Sequence, residues 1–231
     1  MAGPYHQRME ILRATLQAPS SNRRALERFY TTTLGLGPTV DDAHRIGHTA
    51  LLFSPHSGDP FYHFAILLPG DRFDPALTWS RERVELLPAG DGRSPVHRFE
   101  NWDADAVYFH DPAGNIVELI AHHGKGENGR HGEFSPVEFL GLSELGLVGD
   151  PAEIAADLEQ LELAVFDGTV TGPDSLAFIG EPTGTLILSP VNRGWLPSGR
   201  AAEHHPVEVT VSGTPRGAVS SGGHVVRRRG R

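Results

Sequence analysis

The alternation of apolar and polar positions divides the chain into many short strands and a few helices. Residues 9–18, MEILRATLQA, read as a strand. In SSNRRALERFYTTTLG (20–35), Ala25, Leu26, Phe29 and Tyr30 form an apolar stripe at helical spacing. Ser20, Ser21 or Asn22 can cap that helix, and Gly35 can end it. HTALLFSP (48–55) reads as a strand, FYHFAILLP (61–69) as a buried strand, and DPALTWSRERV (74–84) as a short helix. VYFHDPAGNIVELIAHH (107–123) reads as two strands joined by a tight turn at Asp111–Asn115.

Beyond a polar, Gly-rich stretch at 122–136, LGLSELGLVGD (140–150) predicts another strand. PAEIAADLEQLE (151–162) predicts a helix with Pro at its first turn. Four short strands follow in LAVFDG, DSLAFIGE, GTLILSP and PVEVTVSG. The tail TPRGAVSSGGHVVRRRGR has no core-forming pattern and is expected to be disordered. The pattern repeats weakly. Three units open strand-then-helix, from Arg13, His63 and Glu144, and three close on a strand: TALLFSP, NIVELIA and GTLILSP.

Three stretches carry a family resemblance: ALERFYTTTLGLG (25–37), YHFAI (62–66) and DPAGNIVELI (111–120). In this order they resemble the vicinal oxygen chelate superfamily, which includes glyoxalase I, extradiol ring-cleaving dioxygenases and bleomycin resistance proteins. The resemblance implies an α+β fold of paired βαβββ modules whose curled sheets enclose a cavity. It assigns 9–123 to a two-module unit, 124–137 to a linker, 138–212 to a degenerate third module and 213–231 to a disordered basic tail. The odd module suggests a trough covered by the loop 190–205 or by a second chain, hence a possible homodimer.

In metal-dependent members, one position on the first strand and one on the last strand of each module face the cavity. Here the resemblance maps those four positions to Arg13, Leu52, His63 and Glu118. His63 and Glu118 suit one divalent ion such as Zn, Ni, Fe or Mn. A carboxylate in an apolar strand also needs a partner. Leu52 offers nothing, unless a slip brings Thr49 or Leu51 there. Arg13 repels a cation, by roughly 6 kcal/mol for a divalent ion about 5 Å away at an effective dielectric near 20. Three readings stay open. Arg13 and Glu118 form a structural ion pair; Arg13 binds a ligand on which Glu118 and His63 act; or His63 and Glu118 hold a metal with a residue such as His48 or His110.

The third module places Glu144 where His63 sits in the second, and Ile187 where Glu118 sits. For Glu144 the favoured reading is a strand-end cap or a pair with an arginine, the other being that it lines a second cavity or the linker side of the first. Core packing is favoured for Trp79, Trp102 and Trp195, and surface roles for His122–His123 and His204–His205.

Composition narrows the chemistry. The 231 residues contain no cysteine, so sulfur ligands and thiol nucleophiles are excluded. A formal charge of −9 disfavours nucleic acid as a partner. There is no apolar run of membrane-spanning length and no signal-peptide pattern at the N-terminus, which reads as cytoplasmic. P-loop, Rossmann, H-E-x-x-H and G-x-S-x-G patterns are absent. The expected function is binding of a small oxygen-rich or aromatic molecule in a cavity with a degraded metal site. One alternative is a metal-dependent lyase or ring-cleaving dioxygenase using His63 and Glu118, which a third protein ligand in the cavity would favour. The other is a non-catalytic structural or interaction protein.

Overall fold

The computed structural model describes residues 9–90 and 92–230. His6 lies outside them. The first module comprises β1 (Ile11–Pro19), α1 (Arg23–Arg28), β2 (His44–Ile46) and β3 (Thr49–His56). The second comprises β4 (His63–Leu68), α2 (Phe73–Arg81), β5 (His97–Phe99), β6 (Ala104–His110) and β7 (Ile116–His122). The third comprises β8 (Gly141–Val148), α3 (Pro151–Leu158), β9 (Val165–Thr169), β10 (Leu176–Glu181) and β11 (Gly184–Ser189). A small hairpin, β12 (Gly194–Trp195) and β13 (Arg200–Ala201), leads to β14 (Glu208–Ser212), β15 (Gly217–Ser221) and β16 (His224–Arg229).

In each module the first and last strands run parallel: β1 with β3, β4 with β7, β8 with β11, and β14 with β16. The stretch expected to be a disordered tail is therefore ordered strand. Val219 and Val226 supply its core contacts and His224 is buried, its ring bonded to the Val148 carbonyl. The period-2 signal of these strands is weak because Gly, Ser and Arg fill their outer face.

Module pairing also differs from the expectation. β4 lies antiparallel to β8, joining modules two and three, whereas β1 lies antiparallel to β14. β1 touches β8 at a single position, Ile11 opposite Leu142. The first two modules thus do not share a trough. β14–β16 form a helix-less fourth module that completes the first, which removes the reason for expecting a second chain there.

The inner strands alternate between two apolar layers. Phe64, Ile66 and Leu68 of β4 and Val117 and Leu119 of β7 pack in the larger core with the helices. Ala65, Leu67, Ile116 and Ile120 face the trough. On β8 the alternation is interrupted: Ala65 opposes Glu144 but Ile66 opposes Leu142, so Ser143 is an extra residue. This bulge lets Leu142 and Leu145 both join the core while Glu144 faces the trough.

The polar stretch between modules two and three is anchored to the body. The buried Arg72 guanidinium donates to Glu138 at 2.8 Å and to the carbonyls of Arg130, Gly132 and Glu133.

Candidate metal centre and its cavity

His63 starts β4, Glu118 is the third residue of β7, and Glu144 follows the bulge in β8. All three are buried. Among the described residues they form a group whose candidate ligand atoms lie within 4.8 Å of one another. His63 Nε2 is 3.5 Å from Glu118 Oε2 and 3.9 Å from Glu144 Oε2. His63 Nδ1 lies 3.2 Å from the Ile116 carbonyl, so it carries the ring proton and donates it there. Nε2 is then a lone pair aimed at two carboxyl groups.

These distances fall in ion-pair range, yet the ring is not charged. Burial lowers the His63 pKa to about 4, aided by the Arg193 charge. Burial also raises Glu118 well above the usual carboxylate range, with Glu144 adding to the effect, and raises Glu144 to about 8. The Tyr108 hydroxyl donates to Glu118. Burial, then the charges of Glu118 and Glu144, keep that phenol protonated far above its ordinary range. Glu144 Oε1 is buried without a hydrogen-bond partner. Such an orphaned acceptor is expensive to bury.

A divalent cation fits this set. One neutral imidazole and two carboxylates supply nitrogen and oxygen donors of the types used by Zn, Fe, Mn and Ni, and the two negative charges match the ion. The Ile116 carbonyl already fixes the His63 tautomer, as second-shell partners of ligating histidines do.

The group lies in a cavity of about 420 Å³ between modules two and three. Tyr108, Trp102, Phe99, Phe178 and Trp195 contribute its aromatic walls. Trp195 comes from the β12–β13 hairpin, within the long loop expected to act as a lid. Its ring centroid is 5.0 Å from that of His63. Arg200 pins the hairpin: its guanidinium sits 3.4 Å over the Phe61 ring and donates to the Gly114 carbonyl at 3.0 Å. Gly146 leaves room for Trp195, since a Cβ there would lie 3.0 Å from the indole.

The structure therefore brings together His63 and Glu118, as expected, but neither Arg13 nor Leu52. Arg13 is exposed on β1, on the face opposite Ala14 and Leu16. It belongs to the open trough of modules one and four, where Arg227 pairs with Glu208 at 3.1 Å. Arg13 pairs with Thr210 of β14 rather than lying beside Glu118, so neither its pairing with Glu118 nor its repulsion of a cation at this centre applies. Thr49 accepts from the Leu142 amide and donates to the Ile11 carbonyl, away from the cavity. Leu51 is in the core. His48 packs against Gly141, and His110 is exposed. Glu144 is the residue the sequence reading set aside. The repeat places it at the position of module three equivalent to that of His63 in module two, but does not give the pairing of the two modules. Ile187 fills the fourth position and lines the cavity. Trp79 packs with Phe134 and Phe139 as expected of a core residue, whereas Trp102 and Trp195 line the cavity. His122 is buried rather than solvated, and His123 pairs with Asp105.

No protein-family model matches the chain, and no curated protein does. Solved structures do. A putative dioxygenase from Bacillus subtilis superposes with a TM-score of 0.54 at 15% identity, covering 95% of this chain and 84% of that one. A mutant of glyoxalase I from Zea mays superposes with a TM-score of 0.53 at 14% identity, covering 95% of this chain and 92% of that one. Among the described residues no helix is long and apolar enough to cross a membrane. The order of strands, the parallel closure of each module and these superpositions agree: the chain has the fold of the vicinal oxygen chelate superfamily.

Proposed function

We propose that this chain is a metal-dependent enzyme of the glyoxalase and dioxygenase type, acting on a small oxygen-rich molecule in the cavity between modules two and three. The observation that carries this reading is the convergence of Glu144 on His63 and Glu118. A third protein ligand is what separates a working metal site from a degraded one, and Arg13, which argued for the degraded site, is elsewhere.

His63, Glu118 and Glu144 would hold the ion. A divalent ion there supplies Lewis acidity to two adjacent substrate oxygens. The residues of the chain do the rest. Tyr108 donates its one proton to Glu118, orienting that carboxylate, and its phenol oxygen at the cavity wall is left to accept a hydrogen bond from substrate. Trp195 and the aromatic walls exclude water and stack on a flat substrate. Ile187 at the fourth position leaves one side of the site to substrate or solvent oxygen rather than to protein.

The reading is tested by incubating purified protein with Zn²⁺, Ni²⁺, Fe²⁺ or Mn²⁺, removing excess ion, and assaying the hemithioacetal of methylglyoxal and a panel of catechols. Metal-dependent turnover abolished by Glu118→Gln supports it. A protein that retains none of the four ions contradicts it.

A further inference from the structure

The charges around the cavity are unequal. Arg98, on its rim, is neutralised by neighbours: it meets Asp103 at 2.5 Å, Glu100 at 3.5 Å and Asp105 at 3.9 Å. Asp167 is engaged by the Trp102 indole N–H and by the Gly168 amide. Arg193 differs. This half-buried side chain of the β12–β13 hairpin lines the same cavity, and its bonds go to carbonyls alone: Nε to Asp174 at 3.3 Å and one N–H of the guanidinium to Gly194 at 3.0 Å. Among the described residues no carboxylate forms an ion pair with it. A guanidinium offers five N–H groups, so three remain for a ligand. It shares the cavity lining with His63, Glu118 and Glu144.

We propose that Arg193 is a specificity-determining residue that selects substrates carrying an anionic group, a carboxylate or its equivalent, beside the oxygens presented to the His63–Glu118–Glu144 centre. The inference rests on the metal-site reading above. With two carboxylates and a divalent ion the centre itself is neutral, and Arg193 stands beside it on the cavity wall without a carboxylate in ion-pair contact. An anionic group of a ligand supplies that missing partner. The guanidinium fork matches a carboxylate in bidentate geometry, and a partly desolvated wall strengthens the contact. Trp102, Phe99 and Phe178 supply apolar surface for the body of the ligand.

The test is calorimetric titration of Zn²⁺-loaded protein with two probes of equal vicinal oxygens, 3,4-dihydroxybenzoate and its methyl ester. Wild type is expected to bind the anion at least about tenfold more tightly than the ester, a single charge-assisted contact being worth about that much. Arg193→Gln should bring the ratio close to one with unchanged zinc content and unchanged affinity for the ester. Arg193→Lys should keep part of the preference, which guards against misfolding as the cause. No preference for the anion in wild type, or a preference that survives Arg193→Gln, overturns the assignment. If the protein retains no zinc but the Arg193-dependent preference stands, the metal reading falls and Arg193 keeps its role.

Discussion

Glu144 on β8 brings its carboxyl oxygen to 3.9 Å from His63 Nε2 on β4, although the two residues are 81 positions apart and belong to different modules. This contact joins two halves of the fold at one centre. Glu144→Gln keeps the volume and removes the charge. It is expected to lower zinc affinity by about tenfold to a hundredfold while the thermal midpoint of the metal-free protein changes little at neutral pH, where the carboxyl is already protonated. Metal titration and differential scanning fluorimetry on the same preparations check both.

Metal uptake should depend steeply on pH. Burial raises Glu118 well above its ordinary range and Glu144 to about 8, so Glu144 carries a proton in the metal-free protein at neutral pH. A cation displaces it. Affinity is therefore expected to climb with pH through about pH 8, by roughly one decade per pH unit for that proton, as measured with a competing chelator. The same shifts fix the sign for stability. A carboxyl whose folded value lies above its ordinary 4.5 stabilises the protein below that pH, and this contribution is lost as pH rises through the folded value near 8. The metal-free protein should lose thermal midpoint between about pH 5 and about pH 8, and the metal-loaded protein should lose less.

Gly146→Ala inserts a methyl group 3.0 Å from the Trp195 ring. No positive φ forbids it, so the indole has to give way by a few tenths of an ångström beside His63. The expected outcome is a changed tryptophan emission and weaker retention of aromatic probes, with zinc content within about twofold of wild type. Emission spectra and probe titration decide it.

Arg72 and Glu138 form an ion pair whose side chains are 3% and 2% exposed. Removing one partner strands a buried charge. Arg72→Met should cost about 3–5 kcal/mol in urea unfolding, and adding Glu138→Leu should recover part of that loss. Equal loss in the single and double variants would show that the bonds to the carbonyls of 130–133, rather than the pair, carry the effect.

Much of this architecture is legible in the sequence, for physical reasons. The turn Asp111–Asn115 and the apolar runs of β4 and β7 are local signals. Asp111 accepts from the Ala113 and Asn115 amides, and that geometry needs those residue types in that order. His63 and Glu118 stood out because polar groups inside apolar strands require partners. Glu144 was visible in the repeat, but its neighbour was set by long-range pairing of β4 with β8, which no local pattern encodes. The Ser143 bulge changes the facing of one strand by a single residue, and neither apolarity nor turn chemistry marks it. The last two strands were missed because their outer faces are Gly, Ser and Arg and only Val219 and Val226 meet the core.

The central claim is that three side chains from two modules make one metal centre and that Arg13 takes no part in it. Metal content by inductively coupled plasma mass spectrometry, after incubation with Zn²⁺ and gel filtration, tests it most directly in wild type, Glu144→Gln and Arg13→Ala. The account predicts near-stoichiometric zinc in wild type and Arg13→Ala, and a clear loss in Glu144→Gln. Wild type without zinc, or Glu144→Gln with as much zinc as wild type, would contradict it.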